Sequence, residues 1–350
     1  ELADVPEVRR FALEALYRGP TEFRLMDGRG FTTSFSPDGR WLAIGERGRV
    51  SLFPETGGDT VSLPQEQGNQ SAYFIDSEQL FIESGGKLLS IWSVSKGQNI
   101  TQLDARDLGM QNIGGPVVGD HLIARTWTRA DLGPVRFHSV SLRDETATFL
   151  GEVAVRPEKD ASTSGQVWEL QRVMSMFGID PSGTRLIYPE GRSIYFRHLS
   201  DFQRRILVGR HEAPVWSATY DYDSGGNRIA SVDVNGEIRI WSNAGSLKPQ
   251  RIRQSGDDGL RSVKFDPTGT KILTEWTGNG LASIWDLTAP PDAEAVKLRR
   301  RKGNWWLDSA VHPSGRWVAF TGEGGGFAYL LNRPYPYVFR AHKSTVTGLA

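Results

Sequence analysis

A chain of 350 residues with 41 basic and 41 acidic side chains carries no net charge, so no global field would hold it to nucleic acid or to an anionic membrane. The absence of cysteine excludes a disulfide framework and thiolate metal ligands, and it fits a reducing compartment, so a cytoplasmic location is expected. No run of about 18 apolar residues occurs, and no membrane-spanning helix is expected.

At the start, Asp4 and Glu7 form a D-x-x-E capping box and Gly19-Pro20 supplies a stop, which predicts a short N-terminal α-helix within a linker of residues 1–20. Val8, Phe11, Ala12, Ala15 and Leu16 give it one apolar stripe. Its polar face mixes Glu7 and Glu14 with Arg9, Arg10 and Arg18, which suits a docked connector better than a membrane-surface helix.

From residue 21 onward, short period-2 runs alternate with Gly, Pro, Asp and Asn, the pattern of an all-β domain over residues 21–350. Strands are predicted at Phe31 to Phe35, Trp41 to Gly45, Val50 to Phe53 and Thr60 to Leu63, making one four-stranded unit. The turn inside it, Ser36-Pro37-Asp38-Gly39, recurs as Asp180-Pro181-Ser182-Gly183, Asp266-Pro267-Thr268-Gly269 and His312-Pro313-Ser314-Gly315. Pro181 and Pro267 lie 86 residues apart with a weaker copy near Asp223, so the repeat is roughly 43 residues, a blade-sized period. Comparable units begin near Phe31, Ser71, Gly115, Val173, Val215, Leu260 and Trp306, which predicts a propeller of seven four-stranded blades.

Residues 152 to 168 are polar and aperiodic, and read as an inserted loop. The stretch from Asp221 to Asn227 imitates the start of a calcium loop but falls where other units turn, and it lacks a downstream bidentate Glu. Further on, Lys297-Leu298-Arg299-Arg300-Arg301-Lys302 and Trp305-Trp306 form the strongest charge cluster. Arg299, Arg300, Arg301, Lys302, Trp305 and Trp306 are therefore candidate contacts for an acidic partner, against the plainer role of guarding an edge strand; nucleic acid is not favoured. Trp127, Trp276 and Trp317 are further aromatic candidates whose default role is packing. Two segments compete to close the ring, Thr21 to Leu25 and Pro336 to Arg340, and the first is favoured. The chain lacks an initiator methionine and stops at what reads as a strand, so it is expected to belong to something longer.

The fifth unit contains Gly209-Arg210-His211, Val215-Trp216-Ser217, Ile229-Ala230-Ser231, Asn235-Gly236 and Ile238-Arg239-Ile240-Trp241, and it resembles a WD repeat. The resemblance implies a structural hydrogen-bonded tetrad of His211, Ser231, Asn235 and Trp241, with Asn235 in place of the family's Asp and a weaker tie expected there. The sixth unit keeps Ile284-Trp285-Asp286, so Trp285 and Asp286 match the dipeptide that names the family, while Ser255 to Gly259 stand where Gly-His would. The opening helix running into repeats is similar to linkers before the WD-repeat tails of large bacterial signalling proteins, which carry STAND-type ATPase, protease-like or kinase domains.

No catalytic constellation appears: there is no G-x-S-x-G elbow and no phosphate loop, and none of the six histidines has a second at metal-ligand spacing. No metal and no cofactor are expected. The expected function is a non-catalytic protein-interaction or sensor domain of a larger signalling protein, with a protein or another domain of the same chain as partner. An enzyme with its site in the axial channel and an autoinhibitory lid over an effector domain are the alternatives.

Overall fold

The computed structural model describes residues 22–331 apart from 111–114, 116, 119–120, 127–133, 154–176, 221–226, 243–248, 254–259, 277–280, 291–292, 294 and 300–305. Described residues are strands and turns throughout, and none is helical. The helix predicted within residues 1–20 lies outside them.

After β1 (Glu22–Met26) comes a seven-stranded sheet of β2 (Thr32–Phe35), β3 (Trp41–Gly45), β4 (Arg47–Pro54), β5 (Val61–Phe74), β6 (Gln79–Ser84), β7 (Leu88–Ser93) and β8 (Gln98–Asp104). A four-stranded sheet holds β9 (Val117–Val118), β10 (His121–Thr126), β11 (Val135–Ser141) and β12 (Thr146–Val153). The next holds β13 (Gly178–Ile179), β14 (Arg185–Glu190), β15 (Ser193–His198) and β16 (Asp201–Arg210). It is followed by β17 (Val215–Tyr220), β18 (Arg228–Asp233), β19 (Glu237–Ser242) and β20 (Gln250–Arg253), then by β21 (Leu260–Phe265), β22 (Lys271–Trp276), β23 (Leu281–Asp286) and β24 (Val296–Arg299). The last sheet joins β25 (Trp306–Val311), β26 (Trp317–Gly322) and β27 (Gly325–Leu330) to β1, which pairs antiparallel with β27 and so closes the ring from the N-terminal side.

The described residues form an all-β propeller, but the expectation of seven separate four-stranded blades is corrected. Five four-stranded sheets stand as blades, and the sixth sheet is one run of seven strands. The cause is β5, a single strand that pairs with β4 through Val61 to Pro64 and, past a shift in register, at Asn69, and with β6 through Gln70 to Phe74. Between those stretches stands Gln65-Glu66-Gln67-Gly68-Asn69, which has no proline turn to end the strand, and Gly68 takes the bend at φ +143°.

The recurring turn has one geometry in all four copies. In each, the final glycine N–H donates to the carbonyl of the first residue, as Gly39 to Ser36 at 2.8 Å and Gly269 to Asp266 at 2.9 Å. Its φ is positive in every case, from +66° to +77°. Glycine is thus required by backbone conformation, and proline presets the preceding φ. The opening residue caps the turn from its side chain: Asp180 accepts from the amides of Thr184 and Arg185, and Asp266 from that of Lys271.

Apolar side chains collect between successive sheets. Phe81 and Leu89 pack against Leu122 and Ala124, Ile123 and Phe137 against Leu186 and Tyr188, and Leu273 and Ile284 against Val318 and Phe320. At the closure, Leu42 and Ile44 meet Ala319, with Leu25 and Met26 of β1 alongside. Inner strands of neighbouring sheets meet: β2 touches β5 and β25, and β17 touches β14 and β21. Because neighbouring strands are antiparallel, the recurring turns lie at one end of the ring, and the ends of the second strands, at Gly45, Ser84, Asp233 and Trp276, lie at the other.

Candidate functional site at the ring axis

Polar side chains from separate sheets converge on the innermost strands. The Lys264 Nζ on β21 donates to Asp308 Oδ1 on β25 at 2.8 Å and to the Ser309 carbonyl at 2.9 Å, while the Thr33 amide on β2 donates to Asp308 Oδ2 at 3.0 Å. Asp308 therefore ties three inner strands together. On β5, Tyr73 holds the register position that Lys264 holds on β21, since each pairs with the third residue of its second strand, Phe81 and Leu273. Alternation puts Ser71 on the face of Tyr73 and Ser262 on the face of Lys264. Each serine faces a glutamate across the pair, Ser71 with Glu83 and Ser262 with Glu275, and each hydroxyl donates to that carboxylate.

The electrostatics show how tightly this group is drawn together. Burial, with the Asp308 carboxylate next, pushes the Tyr73 phenol above its ordinary range; Arg125 on β10 opposes this and Glu83 adds to it. Burial lowers the Arg125 guanidinium, and Tyr73 partly offsets the loss. Burial also raises Glu83 to about 7, against hydrogen bonds from the Gly86 amide and Ser71. Yet Tyr73, Arg125, Lys264 and Asp308 all keep part of their surface open. Polar groups that are crowded and still partly open are what a ligand-accepting axis requires.

A second network lies in the fifth unit. His211 Nε2 is 2.7 Å from Ser231 Oγ, Trp241 Nε1 donates to that same oxygen at 2.8 Å, and His211 Nδ1 is 3.1 Å from Asp233 Oδ2. The fourth partner is thus Asp233 and not Asn235, whose backbone amide donates to Asp233 Oδ1. The expected weak tie is corrected: a charged acceptor is present, two residues earlier in the chain. Burial pushes Asp233 upward, but His211 and the amides of Glu237 and Asn235 outweigh it and hold the carboxyl below its ordinary value. Trp285 repeats part of the arrangement, donating to Thr274 at 3.2 Å. Thr274 and Ser231 are each the fourth residue of a second strand, and Trp285 and Trp241 the fifth of a third. On β6 that fourth residue is Ile82, so the Trp92 indole turns to Ser90 on its own strand instead.

No family model matches the chain, and no curated protein matches it. Among solved structures, the β-propeller domain of Cps50 (Swd1) from Myceliophteria thermophila is similar to it, with a TM-score of 0.62 and 15% identity over 89% of this chain and 98% of that one. The likeness is one of fold.

Within this propeller, Ser231, His211 and Asp233 align as a hydrolytic triad would, but Ser231 is 0% exposed and its oxygen already receives the Trp241 N–H. No substrate carbonyl has a path to it. His211, Asp233 and Glu237 also bring possible metal-binding atoms within 4.8 Å of one another. Those atoms are engaged, His211 with Asp233 and Glu237 with the Arg239 guanidinium at 3.0 and 3.1 Å. Asp286 ends β23 and accepts from the Thr288 amide and hydroxyl, capping the turn that follows. Arg299 ends β24 and Trp306 begins β25; their side chains, and Arg300, Arg301, Lys302 and Trp305, lie outside the described residues, as does Trp127. Trp317 makes an edge contact with Phe23 of the closing strand at 5.5 Å.

Sequence reasoning missed Tyr73, Glu83, Arg125, Lys264 and Asp308. The available signal was register: counting back from each recurring turn puts Lys264 and Asp308 on inner strands. Their meeting, however, depends on how neighbouring sheets pack, and the Thr33 contact on ring closure, which no local pattern displays.

Proposed function

We propose that this chain is a WD-type propeller serving as a non-catalytic interaction or sensor domain of a larger signalling protein, with a protein partner bound at the ring axis. The carrying observation is the convergence of Tyr73, Arg125, Lys264 and Asp308 from different sheets, each partly exposed. Mixed charge beside an aromatic ring suits side-chain recognition on a protein surface. The WD assignment is supported by the Trp241–Ser231–His211–Asp233 network and its partial copy at Trp285 and Thr274. These residues act as an internal clamp, satisfying a buried indole and imidazole that would otherwise be costly. A non-catalytic role is supported by the burial of the Ser231 oxygen beneath Trp241.

The test is affinity capture from the source cell followed by binding with purified components. Tyr73→Ala and Lys264→Met, at the axis, are expected to abolish capture, while Arg205→Ala, on the outer strand β16, leaves it intact. Equal effects at axis and rim, or no saturable partner, would overturn the reading.

A further inference from the structure

Glu83 is only 8% exposed, and its carboxylate is met by two neutral donors, the Gly86 amide and the Ser71 hydroxyl. Among the described residues, no arginine, lysine or histidine forms an ion pair with it. Two other acidic residues at this end of the ring or its axis do have one: Glu46 pairs with Arg49 at 2.6 Å and Asp308 with Lys264 at 2.8 Å. Where β21 carries Lys264, β5 carries Tyr73, so the equivalent place offers a neutral phenol on a partly exposed residue.

Resting on the interaction reading above, we propose that the axial cluster takes a cationic side chain of the partner, an ammonium or guanidinium, with the Glu83 carboxylate as acceptor and the Tyr73 ring as wall. A cation there supplies the ion-pair partner that Glu83 lacks, and a desolvated ring face adds attraction through its quadrupole. The charged and titratable groups around the Glu83 and Tyr73 pair are Asp308 on β25, which reinforces the negative potential, and Arg125 on β10, which opposes it. Glu83 holds a proton over much of the range below neutrality because of its burial. An arriving cation displaces that proton, so binding strengthens as pH rises.

The experiment is an NMR titration of the unaltered chain with n-propylguanidinium and n-butylammonium at pH 6 and pH 8, with butyrate as the anionic control. Saturable movement of the Tyr73 ring signals is expected with both cations, about tenfold tighter at pH 8, because ionisation of a group near 7 changes by that factor between the two. Glu83→Gln, which keeps the shape and a hydrogen-bonding oxygen, is expected to weaken binding at pH 8 by about tenfold and to remove the pH dependence. No saturable shift at Tyr73, affinity independent of pH, or butyrate bound more tightly than the cations would overturn the proposal; the last would give the channel to Arg125 and Lys264. Should Glu83→Gln fail to fold, the pH comparison on the unaltered chain decides alone. Since the probes need no partner, their failure with capture intact sinks this inference only, and loss of capture specificity with the probes bound sinks the interaction reading only.

Discussion

The Lys264 ammonium and the Asp308 carboxylate meet 2.8 Å apart across two adjacent blades, and the second oxygen of Asp308 receives the Thr33 amide from β2. One side chain thus links the last sheet both to the sheet before it and to the first. Asp308→Ala is expected to cost about 1 to 3 kcal/mol, because it leaves the Thr33 backbone N–H without its acceptor and removes the ion pair of Lys264, which keeps the Ser309 carbonyl. Lys264 is more than a third exposed, so Lys264→Met should cost about 1 kcal/mol or less. Urea unfolding of both variants checks the order.

In the fifth unit, Trp241→Ala removes a large side chain that is 4% exposed and should cost about 3 to 5 kcal/mol. His211→Ala and Ser231→Ala should each cost about 1 to 3, since each leaves a buried polar neighbour unsatisfied. Asn235→Ala should be nearly neutral, because only its backbone amide meets Asp233. Thermal melts of the four variants distinguish this network from one built on Asn235.

Asp233 also sets an acid limit. Its folded pKa is depressed, so its contribution is present above the ordinary aspartate value of about 4 and is lost as pH falls through the lower folded value. Asp233→Asn should flatten the acid side of the stability profile, read from unfolding midpoints between pH 5 and pH 2.

Glu83 runs the other way. Its pKa is raised from an ordinary value near 4.3 to about 7, so the folded protein keeps a proton that the unfolded chain releases. Its stabilising share is full below about pH 4.3 and is lost as pH rises through 7, a change on the order of 3 kcal/mol. Glu83→Gln should therefore raise the melting temperature most at pH 8 and little at pH 5.

The recurring turns are not equal. At Gly39, φ is +77° and a Cβ would lie 2.4 Å from His312 Nε2, the atom that meets the Gly39 carbonyl at 3.0 Å. At Gly315, φ is +67° but the nearest atom is 3.5 Å away. Gly315→Ala should cost about 1 to 2 kcal/mol of backbone strain, and Gly39→Ala distinctly more, because a buried imidazole at the blade junction must also move. Equal losses in a denaturant titration would contradict the placement of His312.

Local chemistry was enough to reveal the repeating β architecture and the first three strands of its first unit, though not where the fourth ends. Proline and glycine at fixed turn positions punctuate the chain, and strand alternation depends only on neighbours along it, so Trp41 to Gly45 could be read before any contact was known. The His211, Ser231 and Trp241 grouping was legible only through the resemblance to a WD repeat; Ser231 and Trp241 stand on the adjacent strands β18 and β19, and His211 follows the end of β16. Tertiary structure decided what depends on pairing at a distance. It kept β5 continuous where a blade boundary was expected, put Asp233 rather than Asn235 against His211, and closed the ring with β1 on β27. It also assembled the axis. Tyr73, Arg125, Lys264 and Asp308 lie far apart in sequence and share no motif, and a ring brings them together because the position nearest the axis is common to every sheet that surrounds it.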